Sequence, residues 1–214
     1  MVCHGCFRVC STPLCRECFS DLRPAPDRVL PVGVRAIAAF DHTGVAARLM
    51  HGFKYRGDGL LADLASAALA GRIDSRMIFV PVPRVWTRLI RYGVDPAAQL
   101  AEALASATGG RVEMLIRRPV HTARRAGSDH ESGANPFQAS SGLQGQAVVV
   151  DDVLTTGATV LEAIRALEPA RPRLVVTATS ARRVSSLLVP EVGSHAGEVE
   201  IWTAGELDEL SSDR

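Results

Sequence analysis

The apolar positions of this chain fall into short runs separated by stretches with helical spacing. Val34 to Phe40, Met77 to Pro83, Val112 to Ile116, Ala147 to Val150 and Leu174 to Thr179 have strand length and strand composition. Such runs read as strands, and the β-branched run at Ala147 as a buried one. Pro81 and Pro83 stop the second of them. Between the runs, Val45, Leu49, Met50 and Phe53 recur at helical spacing, and Leu60 to Ala70 is amphipathic. Asp95-Pro96 opens a further helix that passes Gln99, Leu100 and Leu104 and ends at Gly109-Gly110. Asp is a favoured N-cap and Pro a favoured first helical residue. Ala158 to Leu167 reads as another helix, Glu198 to Trp202 as an edge strand, and Glu206 to Arg214 as a frayed polar tail. The 214 residues suffice for one α/β domain with a small appendage.

One stretch concentrates the chemistry. Ala147 to Val150 leads into Asp151-Asp152-Val153-Leu154-Thr155-Thr156-Gly157-Ala158-Thr159. Two carboxylates close a strand, and a hydroxyl- and glycine-rich turn leads into a helix. Gly157 lets the backbone turn tightly and approach a ligand. Thr155, Thr156 and Thr159 offer hydroxyl donors, and the N–H groups and dipole of the helix start at Ala158 favour an anion. Asp151 and Asp152 would repel a phosphate but suit sugar hydroxyls or a phosphate-bound Mg²⁺, which takes hard oxygen ligands. Phosphate, polyol and magnesium side by side describe a phosphorylated ribose. In open parallel sheets such ligands sit at the carboxyl ends of strands. The plainer alternative, an acidic strand end with an ordinary Thr N-cap, does not need two Asp and three Thr.

Basic residues gather in three other places. Arg84, Trp86, Arg88, Arg91 and Tyr92-Gly93 follow the Val80-Pro81-Val82-Pro83 strand end. They suit a second anion site, for pyrophosphate, or a set of solvated arginines. Arg117 to Phe137 has no apolar period and holds Arg117, Arg118, Arg124 and Arg125, which suits a lid over the sugar. The same charge could serve nucleic acid, although no aromatic residues are interleaved to stack bases. His121 and His130 in this segment are candidate bases or solvated loop histidines. Lys54-Tyr55-Arg56-Gly57-Asp58 reads first as a solvated helix end complementing the dipole, with a contact to pyrophosphate as the alternative.

Composition narrows the picture. The net charge of +1 implies no bulk pull toward nucleic acid or membrane. With no run of 18 apolar residues and no charged-then-apolar leader, a soluble cytoplasmic protein without a membrane span is expected. In that compartment the five cysteines are not expected to form disulfides. Cys3-His4-Gly5-Cys6 and Cys15-Arg16-Glu17-Cys18 instead form two C-x-x-C pairs, a spacing suited to one structural Zn²⁺ held by four thiolates. The competing readings are a redox pair and unligated thiols. Cys10 is left over, and His4 reads as a bystander. Arg23 to Pro31 is a proline-punctuated linker.

Val149 to Thr159 resembles the 5-phosphoribosyl-1-pyrophosphate (PRPP) motif of type I phosphoribosyltransferases. The chain from residue 3 to about 180 resembles the ComF/GntX family of phosphoribosyltransferase-like proteins. The shared order is paired C-x-x-C, Lys54-Tyr55, Val80-Pro81-Val82-Pro83, an Arg-rich loop, a basic region ending near Asn135 and Phe137, and the DD-V-x-TTGAT turn. The resemblance implies a parallel sheet flanked by helices behind a zinc knuckle. It divides the chain into a knuckle (1–22), a linker and hood strand (23–44), the phosphoribosyltransferase-like domain (45–190) and an edge strand with tail (191–214). It implies that Asp151 and Asp152 hold the ribose hydroxyls and Thr155 to Thr159 the 5-phosphate. Arg84, Arg88, Arg91 and Gly93 fall in the pyrophosphate loop. It implies transfer of phosphoribosyl from PRPP and Mg²⁺ to an acceptor, or a non-catalytic role in DNA uptake through single-stranded DNA or a protein partner. No motif names the acceptor or the oligomeric state. The chain departs from the family pattern at Arg91-Tyr92-Gly93-Val94-Asp95-Pro96 and in the lid, where Arg124, Arg125 and Ser132 stand and Asn135 is kept.

Overall fold

The computed structural model of the chain describes residues 1–118, 137–140, 146–167 and 172–181. Its strands, in chain order, are β1 (Arg28–Val29), β2 (Arg35–Asp41), β3 (Ile78–Pro81), β4 (Arg111–Val112), β5 (Ile116–Arg117), β6 (Gln138–Ala139), β7 (Ala147–Leu154) and β8 (Leu174–Ser180). Six of them form one sheet in the order β1-β2-β8-β7-β3-β4, and β5 and β6 form a separate ribbon. β2, β8, β7, β3 and β4 are parallel, and β1 adds an antiparallel edge. The helices are α1 (Arg16–Ser20), α2 (Gly44–Arg56), α3 (Leu60–Leu69), α4 (Trp86–Tyr92), α5 (Pro96–Thr108) and α6 (Ala158–Ala166).

The apolar run of β7 is continuous because both faces of the sheet are covered. Val148 and Val150 join one core with Val45, Leu49 and Phe53 of α2, Leu61 of α3 and Leu100 and Leu104 of α5. Ala147 and Val149 join the other with Val160, Ala163 and Ile164 of α6. The mostly parallel sheet flanked by helices is thus the α/β architecture expected from the sequence.

Connectivity sets the place for a ligand. From β3 the chain moves outward to β4, then returns past β3 to β7 and moves the other way to β8. The direction reverses between β3 and β7, and such switch points open a crevice at the carboxyl ends of the strands.

Two local expectations are corrected. Val112 to Ile116 is not one strand: β4 and β5 belong to different sheets, because the chain turns where Leu115 N–H donates to the Glu113 carbonyl at 3.0 Å. The Arg-rich stretch after β3 is not all loop, because Trp86 to Tyr92 forms α4, which ends at Gly93 in the left-handed region. β2 lies inside the parallel sheet, six of its residues in register with β8. The predicted edge strand at 198–202 and the tail at 206–214 lie outside the described residues. Among the described residues no helix is long and apolar enough to cross a membrane.

The amino-terminal lobe is small and is built on α2. Val2 and Val9 pair across a bridge, and Cys3, Leu14 and Cys18 join the core that contains Val45 and Leu49.

Candidate functional site

A crevice of about 360 Å³ opens at the switch point. Asp151, Asp152, Thr155 and Thr159 line its β7 side, and Arg84, Arg88 and Asp95 its β3 side. Lys54 enters from α2, and Arg118 from beyond β5.

On the β7 side the chain runs straight from strand into turn. The Asp152 N–H donates to Asp151 Oδ1 at 2.8 Å, and Lys54 Nζ stands 3.3 Å from Asp152 Oδ1. Burial, and then the neighbouring Asp152 charge, push the Asp151 carboxyl up to about 8. Two adjacent carboxyl groups that can accept from hydroxyls are the chemistry a polyol needs. Gly157 starts α6 at φ 81°, where a Cβ would come within 3.0 Å of Leu30. Its lack of a side chain is therefore required twice. Thr155 and Thr159 line the crevice, whereas Thr156, Gly157 and Ala158 shape the turn. Thr156 Oγ1 accepts from the Ala158 N–H at 3.3 Å. Behind the turn, buried Arg28 donates from Nη1 to the Thr155 carbonyl at 2.8 Å and to Ser180 Oγ at 3.4 Å. Arg28 lies in the stretch read as linker, and no local pattern marks it as a brace.

The β3 side is assembled differently. Arg84 lines the crevice, but its Nη1 donates to the Lys54 carbonyl at 2.7 Å and the Val94 carbonyl at 2.8 Å. Its guanidinium carbon lies 5.2 Å from the Tyr92 ring centre and 5.9 Å from that of Tyr55. Arg84 therefore ties the end of α2 to the segment before α5. Arg88 is exposed and lines the crevice. Arg91 and Gly93 do not line it: Arg91 is exposed, 5.4 Å from the Tyr92 ring centre, and Gly93 caps α4. Asp95 caps α5 as the sequence predicts, accepting from the Ala98 N–H at 3.3 Å. Burial raises its carboxyl above the ordinary range.

Lys54 departs from the favoured sequence reading and follows the alternative one, in which the cluster faces an anion. The helix end was expected to be solvated; Arg56 is exposed, but Lys54 turns inward. His42, just past β2, shares a 2.9 Å hydrogen bond between Nδ1 and Thr179 Oγ1. Burial, then the Lys54 charge, lower its pKa, so it is neutral near pH 7. Of the expected lid, Arg117 is exposed and Arg118 lies 4.6 Å from the Phe137 ring centre, with its own pKa lowered by burial. Residues 119–136, including His121, Arg124, Arg125, His130, Ser132 and Asn135, lie outside the described residues.

The second cluster is Cys3, Cys6, Cys15 and Cys18, whose sulfurs all lie within 4.8 Å of one another. Cys6 Sγ and Cys15 Sγ are 3.8 Å apart, far beyond a disulfide bond. Zn–S bonds of about 2.3 Å in a tetrahedron place sulfurs about 3.8 Å apart, so the donor set fits such an ion. Burial tends to raise the Cys3 thiol, but N–H groups of Cys15, Cys6 and Gly5 bring it down to about 6. Burial, then the neighbouring sulfurs, push Cys18 up. Cys10 stands apart, its sulfur on the Thr12 carbonyl at 2.9 Å, and His4 bonds to Asp58.

A parallel sheet whose switch point carries an acidic strand end, a hydroxyl turn and a basic rim defines the class: an open α/β protein with its crevice at the carboxyl ends of the strands. More narrowly, the phosphoribosyl transferase domain family model matches residues 89–201, over half of the chain, and the chain belongs to that family. No curated protein matches it. The match takes in α5, β7, the turn, α6 and β8; the Cys lobe and α2 precede it.

Proposed function

We propose that the chain binds PRPP with its Mg²⁺ in the β3–β7 crevice and transfers the phosphoribosyl group to an acceptor. The observation that carries this reading is the convergence of Asp151, Asp152, Thr155 and Thr159 with Lys54, Arg88 and Arg118 around one crevice. Asp151 and Asp152 accept from the ribose hydroxyls, while Thr155 and Thr159 and the start of α6 take the 5-phosphate. Lys54, Arg88 and Arg118 face the pyrophosphate. The bond from the anomeric carbon to pyrophosphate breaks as the acceptor attacks, through an oxocarbenium-like transition state. The cations stabilise the negative charge that builds on the departing pyrophosphate, and fixed positions spare reorganisation. Mg²⁺ arriving with the substrate neutralises phosphate charge.

The ComF/GntX-like order of motifs supports placing the chain in that branch, with residues 1–22 as a zinc knuckle ahead of the transferase domain. A purified chain then carries one zinc per molecule, and Cys3→Ser loses it while Cys10→Ser does not. Zinc and chain mass by native mass spectrometry read this directly.

One observation favours a second reading, a non-catalytic factor that keeps the sugar-phosphate pocket and binds single-stranded DNA or a partner. Arg84 is committed to backbone carbonyls, and Arg91 and Gly93 lie off the crevice. The pyrophosphate side is therefore thinner than the loop resemblance implies. Pyrophosphate release with candidate acceptors separates the two: turnover abolished by Asp151→Asn, Asp152→Asn supports the enzyme. DNA binding that survives that change, and weakens steeply with salt, supports the alternative.

A further inference from the structure

The Cys lobe grips α2 at three levels. At the amino end, Asp21 Oδ2 accepts from the Val45 N–H at 3.2 Å, a cap that Thr43 does not supply from its own side chain. In the middle, Arg48 Nε donates to the Gly5 carbonyl at 2.6 Å. Beyond the carboxyl end, His4 Nδ1 pairs with Asp58 Oδ2, while Asp58 Oδ1 accepts from the Leu60 N–H at 3.2 Å at the start of α3. Apolar packing runs beneath these contacts, with Cys3, Leu14 and Cys18 in one cluster with Val45, Leu49, Met50 and Phe53.

His4 and Gly5 are the two residues between Cys3 and Cys6. Gly5 is wedged: a Cβ there would meet Cys18 Sγ at 2.9 Å and Val45 Cγ1 at 3.0 Å. An ion that clamps Cys3 to Cys6, Cys15 and Cys18 therefore also sets two of the groups that hold α2. Lys54 stands on the last turn of that helix, its Nζ 3.3 Å from Asp152 and its carbonyl held by Arg84. A shift of α2 would move Lys54 off Asp152, from which its Nζ stands only 3.3 Å away.

We infer that the metal-bound Cys cluster is a positioning device for the crevice: through His4, Gly5 and Arg48 it fixes the setting of α2 and so delivers Lys54 to Asp152. The consequence for binding rests on the PRPP reading, but the mechanical link does not. His4 and Arg48 are positioning residues, acting through α2 and the Asp58 turn that follows it.

The test uses the full zinc-loaded chain with His4→Ala and Arg48→Ala combined, which leaves all four cysteines in place. Three quantities are read: zinc content, amide exchange over α2, and PRPP–Mg²⁺ affinity by calorimetry. Expected are retained zinc, faster exchange in the last turn of α2, and affinity lowered about tenfold. In a Lys54→Ala background the same pair should cost little further affinity, because the group it positions is gone. A full additional loss there would mean that the two residues act otherwise, and would overturn the inference. So would unchanged affinity in a protein whose wild type binds. A wild type that binds no PRPP overturns the functional reading instead, and α2 exchange then decides the link alone. Exchange indifferent both to the variant and to a zinc-selective chelator would overturn it.

Discussion

On the β7 side of the crevice, nine consecutive residues from Asp151 to Thr159 supply the acids, the hydroxyls, the tight turn and the helix start. On the β3 side, the cations come from α2, α4 and the stretch after β5, three separate parts of the chain: Lys54, Arg88 and Arg118. The first wall is written locally. The second is a product of packing: α2 must be seated, and Arg84 must tie its end to Val94, before the cations converge. A local wall should tolerate changes elsewhere and fail to changes in itself, while an assembled wall should fail to changes in its ties.

Arg84→Ala is expected to have the largest effect on the fold. It leaves the carbonyls of Lys54 and Val94 without their donor, at about 3 kcal/mol for the two. Denaturant unfolding should show it, together with weakened PRPP binding through displaced Lys54. Gly157→Ala strikes the local wall. It forces a side chain at φ 81° and against Leu30, at about 2 kcal/mol. Its loss of ligand affinity should exceed what the stability change alone brings.

Asp151→Asn separates binding from stability. The Asp151 carboxyl is raised from an ordinary 3.8 to about 8, so its ionisation disfavours the folded state. That cost is absent below pH 4, grows as pH rises to about 8, and is constant above. The ligand-free variant should melt about 2–4 °C higher than wild type at pH 8.5, and alike at pH 4. Asparagine keeps the shape but puts an NH₂ donor where a carboxyl oxygen accepts from the ribose hydroxyls, so PRPP binding should fall in the same protein. Arg91→Ala is expected to have the smallest effect, within about 0.5 kcal/mol and without change in affinity, because the side chain lies off the crevice. A large loss of affinity there would move the β3 wall outward and weaken the contrast.

The same contrast explains what the sequence disclosed. The strand, acidic tip, turn and helix around Asp151 could be read because each step is a short-range preference. So could the Asp95-Pro96 helix start and the paired cysteines. Lys54 reads as solvated first and as an anion contact second, because a lysine at a helix end looks the same whether it faces water or a crevice; only the docking of α2 decides. Arg28 sat in a proline-rich stretch, and its bond to Thr155 spans 127 positions. Arg91 and Gly93 were grouped with Arg84 and Arg88 by a loop pattern, but α4 formed there, and its helical turn carries them away from the crevice.

The proposed function places a phosphoribosyl group in the crevice between these walls. The direct measurement is calorimetry of PRPP with Mg²⁺ against the zinc-loaded chain, wild type beside Asp151→Asn, Asp152→Asn. If the crevice holds that group, the wild type binds one-to-one and the folded double variant shows no measurable binding. A folded wild type that takes up no PRPP, or a double variant that binds it equally well, would contradict it.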